Sequence, residues 1–493
     1  MLDGYDLLVI GGGINGTGIA RDAAGRGLRV ALAERGDLAC ATSSASSKLI
    51  HGGIRYLEHG EFGLVREALE ERETLLRIAP HLMHPLRFVL PHVPAMRPAL
   101  LIRAGLLLYD RLARRSRLRG AETIDLRRDP RGRPLGTQFR RAFVYSDCLV
   151  DDARLVVANA RDAADRGAAI FTRTECISAA RNEARWNVTL QCGATLRAIQ
   201  TKAIVNVAGP WVKDVAQRVL GLRVAAGVRL VQGSHIILPR LYEGDSAYTL
   251  QHTDRRIVFM IPYEGAFTLI GTTDVPFNGD PANVDASESE IAYLLAVVNR
   301  YVARPVARDR IVAHYSGVRP LYDDGSANPS SVTRDYVFRL DGDAAMAPAL
   351  SVFGGKLTTY RRLAESALES FRPWFAQMRG AWTAHAPLPG GDIAGDIEAR
   401  VTALAQTYAE LPGPIVRAIA RRHGSRAAAV LGDARSERDL GEAFGGTLYE
   451  REIAYLRAFE WASSAQDVLW RRTKAALHMT AAQRERVSAY FNE

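Results

Sequence analysis

The sequence predicts an α/β protein in three parts: a Rossmann-like dinucleotide-binding domain, an antiparallel β-sheet domain and a C-terminal all-α domain. Three observations lead to this fold class. A strand, a glycine-rich turn, a helix and a second strand follow one another within the first 34 residues. Short β-rich runs separated by turn residues dominate residues 221–330. From residue 385 onwards, apolar residues recur at helical spacing only.

The dinucleotide-binding fingerprint begins with an apolar run at residues 5–10 and continues as a G-x-G-x-x-G turn, which alone does not distinguish FAD from NAD. Gly11 allows the tight turn and Gly13 lets backbone N–H groups approach a pyrophosphate. Gly16 lets the following helix, whose N-terminus faces the phosphates, pack close to the strand. A second apolar run ends on Glu34, whose carboxylate is placed to accept both hydroxyls of an adenosine ribose. The cofactor contacts predicted in this segment are Gly11, Gly13, Ile14, Asn15, Gly16 and Glu34.

Composition and charge describe an ordinary globular protein with a basic surplus. Of the 493 residues, 47% are hydrophobic and 24% are charged, and the formal net charge is +10. The surplus favours an anionic substrate or an anionic membrane surface, whereas nucleic acid is not expected because no aromatic-interleaved basic array occurs. The four cysteines show no disulfide or metal-ligand spacing, so we expect reduced thiols, no metal and a cytoplasmic location. Asp3 and Asp6 stand where a signal peptide would be basic, and no segment has the length of a membrane-spanning helix.

Domain boundaries are predicted from changes in periodicity and from a proline- and glycine-rich linker at residues 385–392. The predicted division is a discontinuous cofactor domain at 1–80, 145–220 and 330–384, a substrate or cap domain at 81–144 and 221–329, and a C-terminal helical domain at 385–493. The helices predicted in this last domain are 395–410, 412–431, 436–444, 449–462 and 480–490. It carries no redox or metal constellation, so packing or dimerisation is its predicted role.

The segment 99–115 predicts an amphipathic helix within the cap domain. Leucines gather on one side, arginines and an aspartate gather on the other, and further arginines follow directly. Two interpretations stay open. The helix could lie on an anionic membrane with its apolar side inserted, or it could pack as an ordinary helix on the core.

A hydroxyl-rich loop at residues 41–58 follows the ribose-binding acid. Its hydroxyls can donate hydrogen bonds to a pyrophosphate, and Gly52 and Gly53 permit the close backbone approach that a flat ring requires. Arg55 adds a planar fork for a phosphate or a carboxylate. The cofactor contacts predicted in the loop are Thr42, Ser43, Ser47, Lys48, Leu49, His51, Gly52 and Gly53.

A second glycine-rich turn, at residues 354–360, follows a buried strand and precedes a helix predicted to begin near Thr358. Its backbone N–H groups and the positive helix end could stabilise the negative charge that develops on a flavin during hydride uptake. Lys356 is one of only five lysines in the chain. The contacts predicted here are Gly354, Gly355, Lys356, Leu357 and Thr358, with Gly209 from the turn after an earlier strand.

Ten segments of the chain together resemble the FAD-dependent glycerol-3-phosphate dehydrogenases. They are GGGINGTG, DLACATSSASSKLIHGGIRYLE, YSDCLVDDARL, GPWV, GSHI, GTTDVPF, YSGVRPL, TRDY, SVFGGKLTTYR and DVLWRRTK. The likeness covers essentially the whole chain, and SSASSKLIHGG and VFGGKLTTYR are not general to flavoproteins. It implies a peripheral enzyme on the cytoplasmic side of the inner membrane. Such an enzyme would use FAD to oxidise sn-glycerol 3-phosphate to dihydroxyacetone phosphate, by hydride transfer from C2 to N5 of the flavin, and would pass the electrons to a quinone.

The resemblance also implies a cationic substrate site. Its members would be Arg55 and Tyr56 at the substrate near the flavin, His235 and Asp274 at the flavin or its substrate face, and Arg319, Arg334 and Lys356 to complete the cluster. A glycerophosphate carries nearly two negative charges, so converging Arg and Lys side chains are the receptor that its chemistry requires. Oxidation of its C2 alcohol also needs a group that takes the hydroxyl proton. His235 is the first candidate base, and Lys356, desolvated among arginines, is the alternative.

Several other interpretations stay open. An oxidase of the same fold would return electrons to O2 and share every motif above. An amino-acid oxidase would need a carboxylate clamp and an apolar pocket instead of surplus cations. A non-catalytic regulator would bind the flavin or NAD without turnover. A homodimer is compatible with each of these.

Overall fold

The computed structural model describes residues 3–93, 97–112, 117–223, 227–254, 256–323, 335–343, 345–393 and 395–492. Two large sheets form its framework, and a mostly helical region follows them in the sequence. Among the helices in these ranges, none combines the length and the apolar character that crossing a bilayer requires.

The first sheet is largely parallel and has the N-terminal strand near its centre. Its strands are β1 (Asp3–Ile10), β2 (Val30–Ala33), β7 (Ala169–Phe171), β8 (Glu175–Asn182), β9 (Arg185–Cys192), β10 (Thr195–Asn206), β17 (Val337–Asp341) and β18 (Ala349–Phe353). The order is β17-β18-β10-β1-β2-β7, with β17 antiparallel and with β8 and β9 attached to β10 as an antiparallel hairpin. Central strands such as β2 are buried throughout because both faces of a parallel sheet are covered.

Helices cover both sheets and build most of the C-terminal region. They are α1 (Ile14–Gly25), α2 (Phe62–Ile78), α3 (Ala99–Leu112), α4 (Asp152–Asp165), α5 (Val212–Asp214), α6 (Glu288–Asn299), α7 (Tyr360–Glu369), α8 (Ile397–Thr407), α9 (Gly413–His423), α10 (Ala427–Leu431), α11 (Glu450–Glu460) and α12 (Ala481–Tyr490). Both α4 and α7 pack against α1, which is therefore almost wholly buried. The helix predicted at 99–115 is confirmed as α3 over its described part.

The second sheet is almost entirely antiparallel. Its strands are β3 (Leu49–Ile50), β4 (Met83–Pro91), β5 (Glu122–Asp125), β6 (Arg141–Val150), β11 (Gly227–Pro239), β12 (Ala247–Gln251), β13 (Ile257–Tyr263), β14 (Phe267–Gly271), β15 (Val275–Pro276) and β16 (Ala313–Asp323). The order is β15-β11-β14-β13-β12-β4-β6-β3, with β16 on β11 and β5 on β6. The β-rich character predicted for 221–330 is confirmed, and α6 packs across β11, β12 and β13. The hydroxyl-rich loop joins this sheet through β3, which links it to the cap strands.

The predicted C-terminal helical domain is confirmed, but the expectation of helices alone was wrong. Strands β19 (Ala443–Gly445) and β20 (Leu448–Tyr449) form a small hairpin. Instead of a helix at 436–444, a 3₁₀ turn at Glu437–Leu440 ends at Gly441, whose φ of +77° is left-handed. The predicted helix 412–431 is divided into α9 and α10 by a second 3₁₀ turn.

Candidate active site

A cavity of about 950 Å³ lies at the carboxyl ends of β1 and β10 and continues beneath the second sheet. Ligand sites typically measure roughly 300–1,000 Å³, and open α/β sheets bind their ligands at this edge. The predicted site residues that line it are Gly11, Gly13, Ile14, Asn15, Glu34, Thr42, Ser43, Ser47, Lys48, Leu49, His51, Tyr56, Gly209, His235, Asp274, Arg319, Gly354, Gly355, Lys356, Leu357 and Thr358. One cavity thus brings together segments from distant parts of the chain.

Three predicted contacts, Gly16, Gly52 and Gly53, do not line the cavity, and protein packing explains each. A Cβ atom at Gly16 would lie 1.9 Å from the Gly11 carbonyl oxygen, so this glycine serves the contact of α1 with the turn. A Cβ atom at Gly52 would lie 2.7 Å from the Tyr109 hydroxyl, and Gly53 has a left-handed φ of +69°. Both of these glycines fix the protein's own turn, and their approach to a flat ring stays a prediction.

Two predicted substrate residues have no described side chain. Arg334 lies outside the described residues. Arg55 is placed by its backbone, which belongs to the 3₁₀ turn Ile54–His59. Their roles therefore stay predictions.

Glu34 follows β2 and is held from two sides by backbone N–H groups. The amide of Gly12 donates to its Oε2 at 2.6 Å and that of Gly36 donates to its Oε1 at 2.7 Å. Burial raises the pKa of the Glu34 carboxyl, although both hydrogen bonds act in the opposite direction. The carboxyl group is thereby fixed at the cavity wall, where its oxygens can accept hydrogen bonds from ribose hydroxyls.

The first turn of α1 meets the second glycine-rich turn beside the cavity. The Ile14 amide donates to Ser43 Oγ at 3.0 Å, and Asn15 Nδ2 donates to the Gly354 carbonyl at 3.2 Å. Within the described ranges, the buried Oδ1 of Asn15 has no hydrogen-bond partner. A buried acceptor without a partner is costly, so this atom is suited to a donor on a bound cofactor.

Thr42 and Lys48 also line the cavity, but their polar groups bind protein. Thr42 Oγ1 donates to the Val318 carbonyl at 2.7 Å. Lys48 Nζ lies 2.9 Å from both carboxylate oxygens of Asp152 and donates to the Ser44 carbonyl. These two side chains hold the loop on β16 and on the start of α4, and their contact with the cofactor stays a prediction.

Arg319 and Lys356 enter the cavity from different elements. Arg319 projects from β16, and its Nη2 lies 3.1 Å from Asp274 Oδ1 and 3.4 Å from the Thr273 carbonyl. Its side chain is 45% exposed, so a ligand can reach the guanidinium. Lys356 follows β18, and its Nζ lies 4.3 Å from the ring centre of Tyr56. Both side chains are cations that line the same cavity, and an arginine oriented by a carboxylate is suited to bind an anion.

The helix predicted to begin near Thr358 starts at Tyr360, so Lys356 stands in the loop before it. The positive end of α7 therefore lies farther along the chain than expected.

Sequence reasoning missed a buried network behind the loop that follows β14. Thr273 Oγ1 donates to Glu290 Oε1 at 2.6 Å and accepts a hydrogen bond from the Ser234 amide at 2.8 Å. The Ser234 hydroxyl donates to the same carboxylate at 2.8 Å. The Ser-x-x-Glu pattern at 287–290 signals the capping box that starts α6, but not this second use of the glutamate. Arg256, which no motif marked, also lines the cavity.

His235 lies buried on β11. Its Nε2 is 2.9 Å from Ser47 Oγ, and its ring stacks on Tyr315 with 4.8 Å between ring centres. Burial, reinforced by the charges of Lys48 and Arg319, lowers the pKa of His235 to about 3. A group with this pKa is neutral near pH 7 and takes up a proton weakly. The buried imidazole is therefore a weak base, and the role of His235 as the base stays a prediction.

Comparison with known protein families identifies the class of protein. A model described as FAD dependent oxidoreductase matches residues 6–343, and one described as the C-terminal domain of alpha-glycerophosphate oxidase matches residues 381–491. The first covers more than half of the chain, so the protein is an FAD-dependent oxidoreductase. The site fits this cofactor, with Glu34 at the ribose end and the unsatisfied oxygen of Asn15 at the turn between the two glycine-rich segments.

Relatives of known name identify the family within this class of oxidoreductases. A glycerol-3-phosphate dehydrogenase of Pseudomonas aeruginosa is 54% identical over 99% of this chain and 95% of its own length. The aerobic glycerol-3-phosphate dehydrogenase of Escherichia coli is 50% identical, and a D-erythritol 1-phosphate dehydrogenase of Brucella abortus is 52% identical, each over 99% of this chain and 97% of its own length. The chain belongs to the FAD-dependent glycerol-3-phosphate dehydrogenase family, which confirms the resemblance seen in its motifs.

A solved structure supports the fold class. The glycerol-3-phosphate dehydrogenase of Bacillus halodurans, complexed with FAD, matches with a TM-score of 0.76 at 23% identity. The match covers 99% of this chain and 94% of that one. The predicted α/β class with a C-terminal domain is thereby confirmed.

Proposed function

We propose that the enzyme oxidises sn-glycerol 3-phosphate to dihydroxyacetone phosphate and passes the electrons to a quinone. The observation that carries this proposal is the convergence of Arg319 and Lys356 on the cavity that also contains Glu34. A phosphate monoester of a small polyol presents nearly two negative charges, which two separately held cations match. Relatives named for glycerol 3-phosphate, at 50% and 54% identity, support the same substrate.

In this proposal, Arg319 binds the phosphate and Asp274 orients its guanidinium. When bound, FAD supplies the acceptor for the hydride that leaves C2 of the substrate. His235, which is neutral, orients the C2 alcohol and is itself held by the contact of its Nε2 with Ser47. The depressed pKa of His235 makes the imidazole a weak base, so in this proposal His235 orients the alcohol and Lys356 acts as a cation beside the phosphate.

The remaining cations of the substrate site are proposed from the motifs alone. Arg55 and Arg334 belong to the segments HGGIRYLE and TRDY, and both would add charge beside the phosphate. The three-domain division is likewise proposed to hold as predicted, with the cofactor domain binding FAD and the cap domain supplying Arg319.

We propose that α3 contacts an anionic membrane on its cytoplasmic face, where a quinone is accessible. One side of the helix packs on the core through residues that include Ile102, Leu106 and Tyr109. The other side exposes four leucines: Leu100 at 80%, Leu101 at 61%, Leu107 at 52% and Leu108 at 38%. Exposed arginines at 103 and 111 lie on the same helix. Apolar side chains edged by cations suit the interface of an anionic bilayer.

Vesicle co-sedimentation tests this surface. The purified enzyme should sediment with vesicles that contain phosphatidylglycerol and remain in solution with vesicles of phosphatidylcholine alone. The double variant Leu100→Asp, Leu101→Asp should lose this binding while keeping its FAD. Equal sedimentation of this variant and of the wild type would contradict the proposal.

A second candidate substrate follows from the relative of Brucella abortus, whose name gives D-erythritol 1-phosphate. That relative is 52% identical to this chain, as similar as those named for glycerol 3-phosphate. Both compounds combine a phosphate monoester with an oxidisable alcohol, so the same cations would bind either. The ratio of kcat/KM for the two compounds decides between them.

Anaerobic titration of the purified holoenzyme tests the proposed reaction. Glycerol 3-phosphate should bleach the absorption of the oxidised flavin, and a soluble quinone should restore it. Failure to bleach with either polyol phosphate would contradict the proposed substrate class. Rapid recovery with O2, with peroxide formed in step, would instead identify an oxidase.

A further inference from the structure

The C-terminal region is tied to the turn that carries Glu34 by a buried ion cluster. Arg471 Nε lies 2.6 Å from Asp37 Oδ2, and Arg472 Nη2 lies 2.7 Å from Asp37 Oδ1. Asp37 is 3% exposed and Arg472 is fully buried. Buried charges are tolerated only when they are paired, so these three side chains fix the C-terminal segment on this turn.

A second set of contacts holds the same turn from the side of the parallel sheet. Arg173 Nη2 lies 2.6 Å from Asp467 Oδ2, and the Arg173 amide donates to the Gly36 carbonyl at 2.7 Å. The Thr174 amide donates to the Glu34 carbonyl at 2.8 Å. The ribose-binding turn is thus enclosed between residues 173–174 and the π-helical segment Asp467–Arg472.

The C-terminal segment also reaches the cavity itself. Residues of this region that line the cavity are Gln466, Trp470, Arg471, Lys474 and Leu477, and Arg471 also binds Asp37 on the turn after Glu34. Trp470 is 38% exposed, whereas its neighbours Leu469 and Arg471 are 4% and 8% exposed. An indole that stays exposed between buried neighbours and lines a cavity is available to contact whatever occupies that cavity.

We propose that the C-terminal region is part of the FAD site and forms the wall of its adenosine half. Trp470 provides a flat apolar surface for the adenine, and Arg471 fixes the turn that positions Glu34. Aromatic side chains stack on nucleobases readily because every base has a π-face. Since Asp37 links this wall to the cofactor domain, FAD binding and docking of the C-terminal region stabilise each other, as coupled equilibria must.

This role differs from the packing or dimerisation role that the sequence predicts for the region. It also does not depend on which polyol phosphate is the substrate or on whether a quinone accepts the electrons. FAD affinity and thermal stability measure it without turnover, so its failure is distinguishable from a failure of the proposed reaction.

The first test compares two aromatic residues of the C-terminal region. Apoprotein of the full chain is titrated with FAD, and the dissociation constant is read from the quenching of flavin fluorescence. Trp470→Ala should raise this constant about tenfold, within the roughly 5- to 150-fold range that corresponds to base stacking. Phe459→Ala removes an aromatic side chain that is 48% exposed and does not line the cavity, so its constant should equal that of the wild type.

The second test compares two ion pairs that join the same regions. Asp37→Asn breaks the cluster beside the cavity, and Glu460→Gln breaks the buried pair with Arg154, which does not line the cavity. Saturating FAD should raise the Tm of Glu460→Gln as much as that of the wild type. The FAD-induced rise should be reduced by at least half in Asp37→Asn.

Two results would overturn the proposal. An FAD dissociation constant of Trp470→Ala within twofold of the wild type would exclude the adenosine wall. An unchanged FAD-induced Tm rise in Asp37→Asn would exclude the coupling. If Asp37→Asn does not fold, the comparison of Trp470→Ala with Phe459→Ala decides.

Discussion

Substitution of Arg319 by alanine should weaken substrate binding severely and leave FAD bound. The guanidinium contacts Asp274 and the Thr273 carbonyl through Nη2, and the rest of its fork is available to a phosphate. Two charge-assisted hydrogen bonds to a phosphate are worth about 1.5–3 kcal/mol each. The side chain is 45% exposed, so the lower value applies and the expected loss is about 3 kcal/mol. This corresponds to a KM for glycerol 3-phosphate that is roughly 150-fold higher.

The assay is steady-state kinetics with a soluble quinone, together with FAD content from the absorption spectrum. Arg229→Ala is the matched control, because Arg229 lies on the neighbouring strand β11, is 32% exposed and pairs with Asp323 at 3.5 Å, but does not line the cavity. Its KM should stay within twofold of the wild type. A KM of Arg319→Ala within threefold of the wild type, at full FAD content, would refute the reasoning.

Three further predictions concern the site and its support. Thr273→Val removes the hydroxyl that binds Glu290 and should raise KM about tenfold without loss of FAD, since a buried hydrogen bond is worth about 1–2 kcal/mol. Thr273→Ser keeps the hydroxyl and should restore the wild-type KM. Equal KM values for Thr273→Val and the wild type would contradict this role. Because the pKa of His235 is about 3, the pH profile of kcat/KM should show no ionisation of this residue between pH 5 and pH 8. An inflection near pH 6.5 in the wild type that disappears in His235→Gln would contradict this prediction. Arg422 and His423 lower the pKa of the buried Glu452 carboxyl in the folded state from its ordinary 4.5 to about 2. This shift contributes about 3 kcal/mol to the free energy of unfolding. The contribution is complete above pH 4.5 and is lost as the pH falls towards 2. Glu452→Gln should accordingly lower Tm at pH 7, by a margin that shrinks below pH 4.5; a margin that is constant with pH would contradict the ion pair.

The nucleotide half of the site was predictable because its geometry is local. Gly11, Ile14 and Glu34 belong to one strand–turn–helix–strand unit, and the spacing of the fingerprint places them at one edge of the sheet. The position of the loop that follows was predictable, but the protein partners of its side chains were not. Lys48 is neutralised by Asp152, 104 residues away, and the amide of Gly52 donates to the Tyr109 hydroxyl, 57 residues away. No local pattern encodes such partners.

The C-terminal region shows the same limit. Its helical periodicity predicted α8, α11 and α12, but the interruption at 436–444 depends on how one glycine-ended turn packs, and the prediction there was wrong. The motif DVLWRRTK was visible in the sequence without any sign of its partner. Asp37 lies 434 residues from Arg471, and only folding brings them together.

By itself, the sequence predicted the fold class and the dinucleotide-binding fingerprint, because glycine spacing and apolar periodicity act over a few residues. The cations beside the cofactor were predicted from the family resemblance, and their roles stay predictions. Only the tertiary structure decided that His235 is neutral, that Thr273 and Glu290 support the loop at Arg319, and that Trp470 lines the cavity. Burial and long-range pairing set each of these properties, and both arise only when distant segments are packed together.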